Sequence, residues 1–139
     1  MIPFKFRLQK LLEYRQLQEK WAKDAYMAKI AQRNEAELEV ESLVRRKTDS
    51  LRAHPTGLDD RQALDSYVTR LEDEARAAEA TVEVLNNEVE EALNAWNEAR
   101  QEAEAMGKLR EAEFEAWQLE QSRKEQSELD EWAVFRRAA

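Results

Sequence analysis

The chain has 139 residues, a formal net charge of −8 and 37% charged residues, and more than half of it is Ala, Glu, Lys, Leu or Arg, which is typical of long helices and coiled coils. It has no cysteine, two glycines and two prolines, which excludes disulfide frameworks, Cys-based zinc sites and turn-rich β or α/β folds. The lack of a long apolar run argues against direct membrane insertion, and the net acidity disfavours nucleic-acid binding.

The N-terminal residues alternate basic and apolar side chains and lack the apolar core of a signal peptide, so we expect a cytoplasmic protein. Pro3 suits the first turn of a helix, where its missing N–H costs little. No strong helix breaker follows until His54-Pro55-Thr56-Gly57. The sequence therefore predicts a first helix over residues 4–53.

The next four residues, 54–57, are predicted to form a turn. Pro55 disfavours helical angles at the residue before it, and Gly57 permits a left-handed backbone. Thr56 is a candidate N-cap for the segment that follows. We predict a second helix over residues 58–137 and one domain over residues 1–139.

The second predicted helix carries a regular heptad pattern. Two series of apolar residues alternate by four and three positions over six heptads, and the pattern stops at Arg110 and Glu113. A repeat of about 3.5 residues sustained over this length predicts a left-handed coiled coil. The apolar positions are Leu64, Val68, Leu71, Ala75, Ala78, Val82, Leu85, Val89, Ala92, Trp96, Ala99, Ala103 and Met106.

The first predicted helix carries a weaker stripe at matching spacing, so we expect the two helices to pack together. If the chain folds symmetrically about its turn, Tyr26 faces Leu85, and Arg15 faces Trp96, on which its guanidinium could stack. The stripe consists of Leu8, Leu12, Arg15, Glu19, Ala22, Tyr26, Lys29, Arg33, Ala36, Val40, Leu43 and Lys47.

Charge supports pairing within one chain. Residues 1–54 carry a net charge of +4, and residues 55–139 carry a net charge of −12. An antiparallel hairpin sets opposite charges side by side, whereas a parallel homodimer would oppose like charges. The sequence therefore predicts an all-α fold, a long two-helix antiparallel coiled-coil hairpin, as a monomer rather than a dimer.

The second helix is predicted to be much longer than its partner, so that residues 108–137 overhang as a single helix. Two tryptophans and two phenylalanines lie in this segment: Phe114, Trp117, Trp132 and Phe135. Exposed aromatic residues that gather on one surface mark interaction sites. Two alternatives remain open, namely a first helix that starts earlier or bends, and dimerisation through this end.

No catalytic, metal or cofactor site is expected. The single histidine, His54, lies beside the turn, and a two-helix hairpin offers no concave pocket in which groups could converge. Carboxylates at the Glu-x-x-His spacing of helical metal clusters are missing. The sequence therefore predicts a protein that binds partners and is not an enzyme.

The runs from Phe4 to Arg15 and from Arg123 to Glu131, at the two ends of the chain, resemble the flagellar export protein FliJ family. The N-terminal run from Phe4 to Arg15 is similar to a family pattern F-x-F-x-L-x-x-L-L-x-x-R. The run from Arg123 to Glu131 is similar to R-K-E-Q-x-x-L-D-E. A wholly helical chain of this length with a central turn also fits, although the central heptads carry no specific signal.

The resemblance implies a non-enzymatic component of a flagellar type III export apparatus, similar to the central stalk of rotary ATPases. It further implies binding to the hexameric export ATPase, to the cytoplasmic domain of the membrane export gate and to export chaperones. The location would be the cytoplasmic face of the inner membrane. A related non-flagellar secretion system, a generic coiled-coil scaffold and a chaperone-like adaptor remain alternatives.

By the same analogy, both free ends of the hairpin enter the ATPase ring. The aromatic residues of the C-terminal end independently indicate an interaction site there. The candidate partner-binding residues are Phe4, Phe6, Arg7, Arg15, Phe114, Trp117, Arg123, Lys124, Glu125, Gln126, Leu129, Asp130, Trp132, Phe135 and Arg136.

Overall fold

A computed structural model describes residues 3–138, most of which lie in two long helices. Helix α1 spans Gln9–Leu51 and helix α2 spans Leu58–Ala138. The helices pack against each other, and no strand occurs among the described residues. The predicted all-α helical hairpin is therefore confirmed. Neither helix, over residues 3–138, is long and apolar enough to cross a membrane.

The first helix begins at Gln9 rather than at residue 4. Its start is marked by a hydrogen bond of 3.1 Å that the Gln9 amide donates to the Phe6 carbonyl. Alternation of apolar and basic residues at every second position suits an extended chain, because it places the two phenylalanines on one side. Pro3 therefore precedes a non-helical segment and does not open the helix.

The turn differs from its prediction in how the second helix is capped. The Gly57 carbonyl accepts the first intrahelical bond, from the Arg61 amide at 3.0 Å, so Gly57 occupies the N-cap position. The predicted cap, Thr56, lies one residue earlier, and its hydroxyl donates to the Asp60 carboxylate at 3.1 Å. Gly57 has no positive φ, so its left-handed freedom is not used.

The heptad phase of α2 is confirmed. All thirteen apolar positions of its seam are buried or half-buried, and so are all twelve positions of the stripe on the first helix. The deepest side chains are Leu71, with 2% of its surface exposed, Leu43 with 3% and Leu12 with 5%. The apolar seam of α2 and the apolar members of the α1 stripe thus hold the hairpin together, since burial of apolar side chains is the main favourable term in folding.

The chain forms two compact units, of which one runs from Trp21 to Trp96. Within it, Lys29 Nζ lies 2.9 Å from Glu88, and Lys47 Nζ lies 3.2 Å from Glu72. Partner numbers fall along α2 as positions rise along α1, so the pairing is antiparallel. The other unit combines the chain up to Lys20 with the chain from Asn97 onward. The single-domain interpretation stays a prediction.

The register differs from the symmetric fold by about one heptad. Tyr26 stacks on Trp96, with ring centroids 5.6 Å apart, and does not face Leu85. Arg15, which the symmetric fold places opposite Trp96, pairs with Glu102.

The turn segment explains the shift. An extended chain covers at most about 3.3–3.6 Å per residue, so residues 52–57 are longer than a gap of about 8–10 Å between helix axes requires. Leu51 and Pro55 line one groove with Leu64 and Val68, so the surplus chain lies along α2 beyond the end of α1. The first residues of α2, 58–63, are accordingly all exposed.

Candidate partner-binding end

Residues 3–6 are here called the N-terminal strap. In the unit that combines the chain up to Lys20 with the chain from Asn97 onward, an aromatic cluster forms around this strap. The ring of Phe4 meets Phe114 edge-on at 5.2 Å between centroids and lies 5.8 Å from Trp117. Phe114 and Trp117 are themselves stacked at 5.8 Å. Phe6 is buried, with 6% of its surface exposed, and anchors the strap. Such aromatic contacts add to the gain from burial.

Arg110 joins the strap, α1 and α2. Its guanidinium carbon lies 5.6 Å from the centre of the Phe4 ring, and its Nε donates to the side-chain oxygen of Gln9 at 3.1 Å. The sequence interpretation ended the seam at Arg110. Arg110 is exposed, so its charge stays at the surface. Its side chain lies over the face of the Phe4 ring, which attracts a cation.

Arg15, a candidate partner contact, is engaged within the chain. Its Nη1 lies 2.6 Å from the Glu102 carboxylate and 3.2 Å from the side-chain oxygen of Gln18. The two charged groups are about a third and a half exposed, so the pair contributes modestly to stability. Arg7, in the same segment, is exposed.

The interpretation that Phe114 and Trp117 lie on a bare helix is therefore wrong. Both are half-buried, because the strap lies against α2 beyond the N-terminal end of α1. An extended residue covers about 3.3 Å against about 1.5 Å in a helix, so four strap residues can cover more than two helical turns. The first helix starts later than predicted, at Gln9, so an earlier helix start does not produce this cover.

The bare part of α2 is shorter than predicted and begins after residue 121. Every residue from 122 to 138, here called the C-terminal tail, is exposed. Its large apolar side chains are among the most exposed of the described chain: Leu129 at 61%, Trp132 at 59%, Val134 at 66% and Phe135 at 74%. The Arg136 guanidinium carbon lies 5.2 Å from the Trp132 ring centre. The tail thus presents aromatic surface that the described chain leaves uncovered.

Polar candidate residues of the tail pair along the helix. Gln126 donates to the Asp130 carboxylate at 3.1 Å, and Lys124 Nζ lies 3.6 Å from Glu120. Arg123 and Glu125 are exposed. A shallow groove of about 710 Å³ runs along one side of the tail, lined by Arg123, Gln126, Ser127, Asp130, Glu131, Val134, Phe135 and Ala138.

The geometry of the described residues offers surfaces for binding. Among residues 3–138, no group of histidines and carboxylates is placed to hold a metal ion. His54 is exposed in the turn. That the protein has no cofactor and no catalytic activity stays a prediction, as do the partner contacts of the individual candidate residues.

Sequence reasoning missed the strap and its contacts with Phe114 and Trp117. The signal was present in the alternation Phe4-Lys5-Phe6-Arg7, a period of two that indicates extended chain. It was outweighed by Pro3, which suits a helix start equally well. The tail aromatics Trp132 and Phe135, in contrast, are as exposed as the sequence predicts.

Comparison with known proteins gives one result. The model of the family described as "Flagellar FliJ protein" matches residues 4–139, nearly the whole chain. No curated protein and no solved structure matches the chain. The match covers both terminal runs on which the sequence resemblance rests.

Proposed function

Because this chain belongs to the flagellar FliJ protein family and is thus a component of the flagellar protein export apparatus, we propose that it is the non-enzymatic stalk of that apparatus. In this proposal it binds and stimulates the hexameric export ATPase. It also links the ATPase to the cytoplasmic domain of the export gate and to export chaperones, at the cytoplasmic face of the inner membrane.

The observation that carries the proposal is the bare aromatic tail. A solvated helix gains nothing from exposing Trp132 and Phe135, which are 59% and 74% exposed. Tryptophan and other aromatic side chains contribute much of the binding energy of protein interfaces, since they bury large areas on binding. Arg136, stacked on Trp132, adds a cation that is itself enriched in such hot spots.

The stimulation would be allosteric. A stalk inside a ring presents different faces to successive subunits, and it shifts their states only if it binds one state more tightly than another. The tail supplies such unequal faces, because Val134 and Phe135 line its groove whereas Trp132 lies outside that groove. The ATPase would carry the chemistry, and this chain would bias the order of its steps.

The test is the ATP hydrolysis rate of the flagellar export ATPase from the same organism, titrated with this protein. Trp132→Ala/Phe135→Ala is compared with wild type. Trp21→Ala/Leu58→Ala is the matched control, because Trp21 and Leu58 are similarly exposed, at 55% and 71%, and lie outside the tail. Ring assembly is followed by light scattering.

We expect saturable stimulation by wild type and by the control, and its loss in the tail variant. Equal stimulation by the tail variant would move the contact elsewhere on the chain. If wild type neither binds nor stimulates the ATPase, the stalk proposal fails and a coiled-coil scaffold or adaptor becomes the better account. Circular dichroism of each variant checks that the helices are retained.

A further inference from the structure

Two aromatic pairs recur on one side of α2. The proximal pair is Phe114 and Trp117, and the distal pair is Trp132 and Phe135. Each pair has a spacing of three residues, and the pairs are eighteen residues apart, which is five turns at about 3.6 residues per turn. The two pairs therefore lie on the same helical face, separated by about 27 Å along the helix.

The proximal pair shows what such a platform binds. It is occupied by Phe4, a phenylalanine on an extended segment, through an edge-on contact at 5.2 Å and a tilted contact at 5.8 Å. An arginine, Arg110, lies over the inserted ring. No backbone pairing between the strap and α2 occurs among the described residues, so the aromatic side chains provide the recognition.

The distal pair has the same parts but no occupant within the described chain. Trp132 and Phe135 are both exposed, and Arg136 lies over Trp132 at 5.2 Å. The bare platform therefore has the composition of the filled one, with an aromatic pair and an adjacent arginine.

Charge defines the occupant further. Lys5 lies between the two phenylalanines of the strap, Arg7 directly follows the strap, and the helix around the proximal pair is rich in glutamate. The distal pair is preceded by an acidic stretch, formed by Glu125, Glu128, Asp130 and Glu131, and is followed by Arg136 and Arg137. An incoming segment with basic residues next to phenylalanine would meet complementary charge around the proximal pair and on the N-terminal side of the distal pair.

We propose that the distal aromatic pair is a docking site for an extended, basic segment of a partner protein that inserts a phenylalanine side chain, as Phe4 does at the proximal pair. The proposal specifies which kind of partner segment the tail binds, and in that respect it rests on the proposed function and extends it. The binding itself does not require the ATPase, so the two proposals can fail separately.

The probe is a fluorescein-labelled peptide with the sequence of residues 3–8, Pro-Phe-Lys-Phe-Arg-Leu, titrated with the full-length protein and followed by anisotropy. A second peptide, Pro-Ala-Lys-Ala-Arg-Leu, keeps the charge and removes both rings. The protein variants are Trp132→Ala/Phe135→Ala and, as a control, Trp21→Ala. Alanine favours helix, so the tail variant is expected to keep its helix.

We expect saturable binding of the phenylalanine peptide to wild type and to Trp21→Ala, with affinity lowered about tenfold or more in the tail variant, as for an aromatic hot spot. The alanine peptide should bind at least about tenfold more weakly. Equal binding of both peptides would reduce the effect to charge and overturn the proposal. Equal binding to wild type and the tail variant, or no binding at all, would overturn it as well.

These outcomes separate the two proposals. If the peptide binds the distal pair but the ATPase is not stimulated, the docking site stands and the stalk role falls. If the ATPase is stimulated through the tail but the peptide does not bind, the stalk role stands and the extended phenylalanine segment is the wrong partner chemistry.

Discussion

The seam of α2 and its C-terminal tail belong to one helix and yet have opposite surfaces. Over residues 64–106 each apolar heptad position is covered, whereas over residues 122–138 each residue is exposed, including Trp132 and Phe135. Helix-forming residues predominate in both stretches, so helix propensity does not separate them. What differs is whether another segment of the chain lies against the helix. Apolar residues with a partner in the chain stabilise the fold, and those without one are available to another protein.

The largest effect should come from Leu71, whose side chain is 2% exposed. Leu71→Ala removes buried methyl groups and leaves a cavity, which costs about 2–5 kcal/mol of unfolding free energy. The matched control is Leu129→Ala, the same change on the same helix at a side chain that is 61% exposed. It should change stability by no more than about 0.5 kcal/mol. Urea unfolding followed by circular dichroism measures both, and equal losses would mean that the tail is packed in the free protein.

A smaller effect is expected where the strap covers the helix. Phe4→Ala should cost about 1–1.5 kcal/mol, half of what full burial of a phenylalanine gives, because Phe4 is half-buried. A more specific measurement of how Phe4→Ala uncovers the helix is acrylamide quenching of tryptophan fluorescence. It uses variants that keep one tryptophan and carry Phe at the other tryptophan positions. Quenching of Trp117 should rise toward that of Trp132, while Trp132 itself should not respond.

The control for the strap is Phe135→Ala, which removes an exposed ring of the same type and should leave Trp117 quenching unchanged. If Trp117 is already quenched as readily as Trp132 in the unsubstituted single-tryptophan chain, the strap does not cover the proximal pair. The comparison between covered and bare aromatic pairs would then fail.

The sequence predicts the helical pairing well, because a heptad pattern reports which side of a helix is apolar without reference to the rest of the chain. Leu71 and Val89 are buried where the repeat places them. The exposed tail was predicted for a related reason. The heptad repeat of α2 stops, and the first helix is too short to pair with the rest of α2. Helix type, phase and the bare end thus follow from local pattern.

Register and the strap were not predictable in the same way. The pairing of Lys29 with Glu88 depends on how much chain the turn consumes, and heptads allow a shift of one repeat without changing which side is buried. The strap contact of Phe4 depends on an extended segment reaching a distant part of α2. The alternation at residues 4–7 indicates an extended segment, but no spacing in the sequence indicates which part of α2 that segment contacts.

The smallest effect tests the helix between the two regions. Gly107 lies inside α2, directly after the last seam residue, Met106. A Cβ built on Gly107 would meet no atom within 4 Å, and its φ is not positive. Gly107→Ala should therefore stabilise the protein by about 1 kcal/mol, because alanine loses less backbone freedom in a helix than glycine.

Thermal unfolding of Gly107→Ala, beside Ser127→Ala in the tail, measures this gain. Serine to alanine at an exposed helical site should raise stability by less, about 0.5 kcal/mol, through propensity alone. A loss of stability in Gly107→Ala would mean that the chain needs glycine at this point to bend or to admit a neighbour. In that case the seam and the tail would not be parts of one continuous helix, and their difference would reflect a joint in the chain as well as the reach of its partner segment.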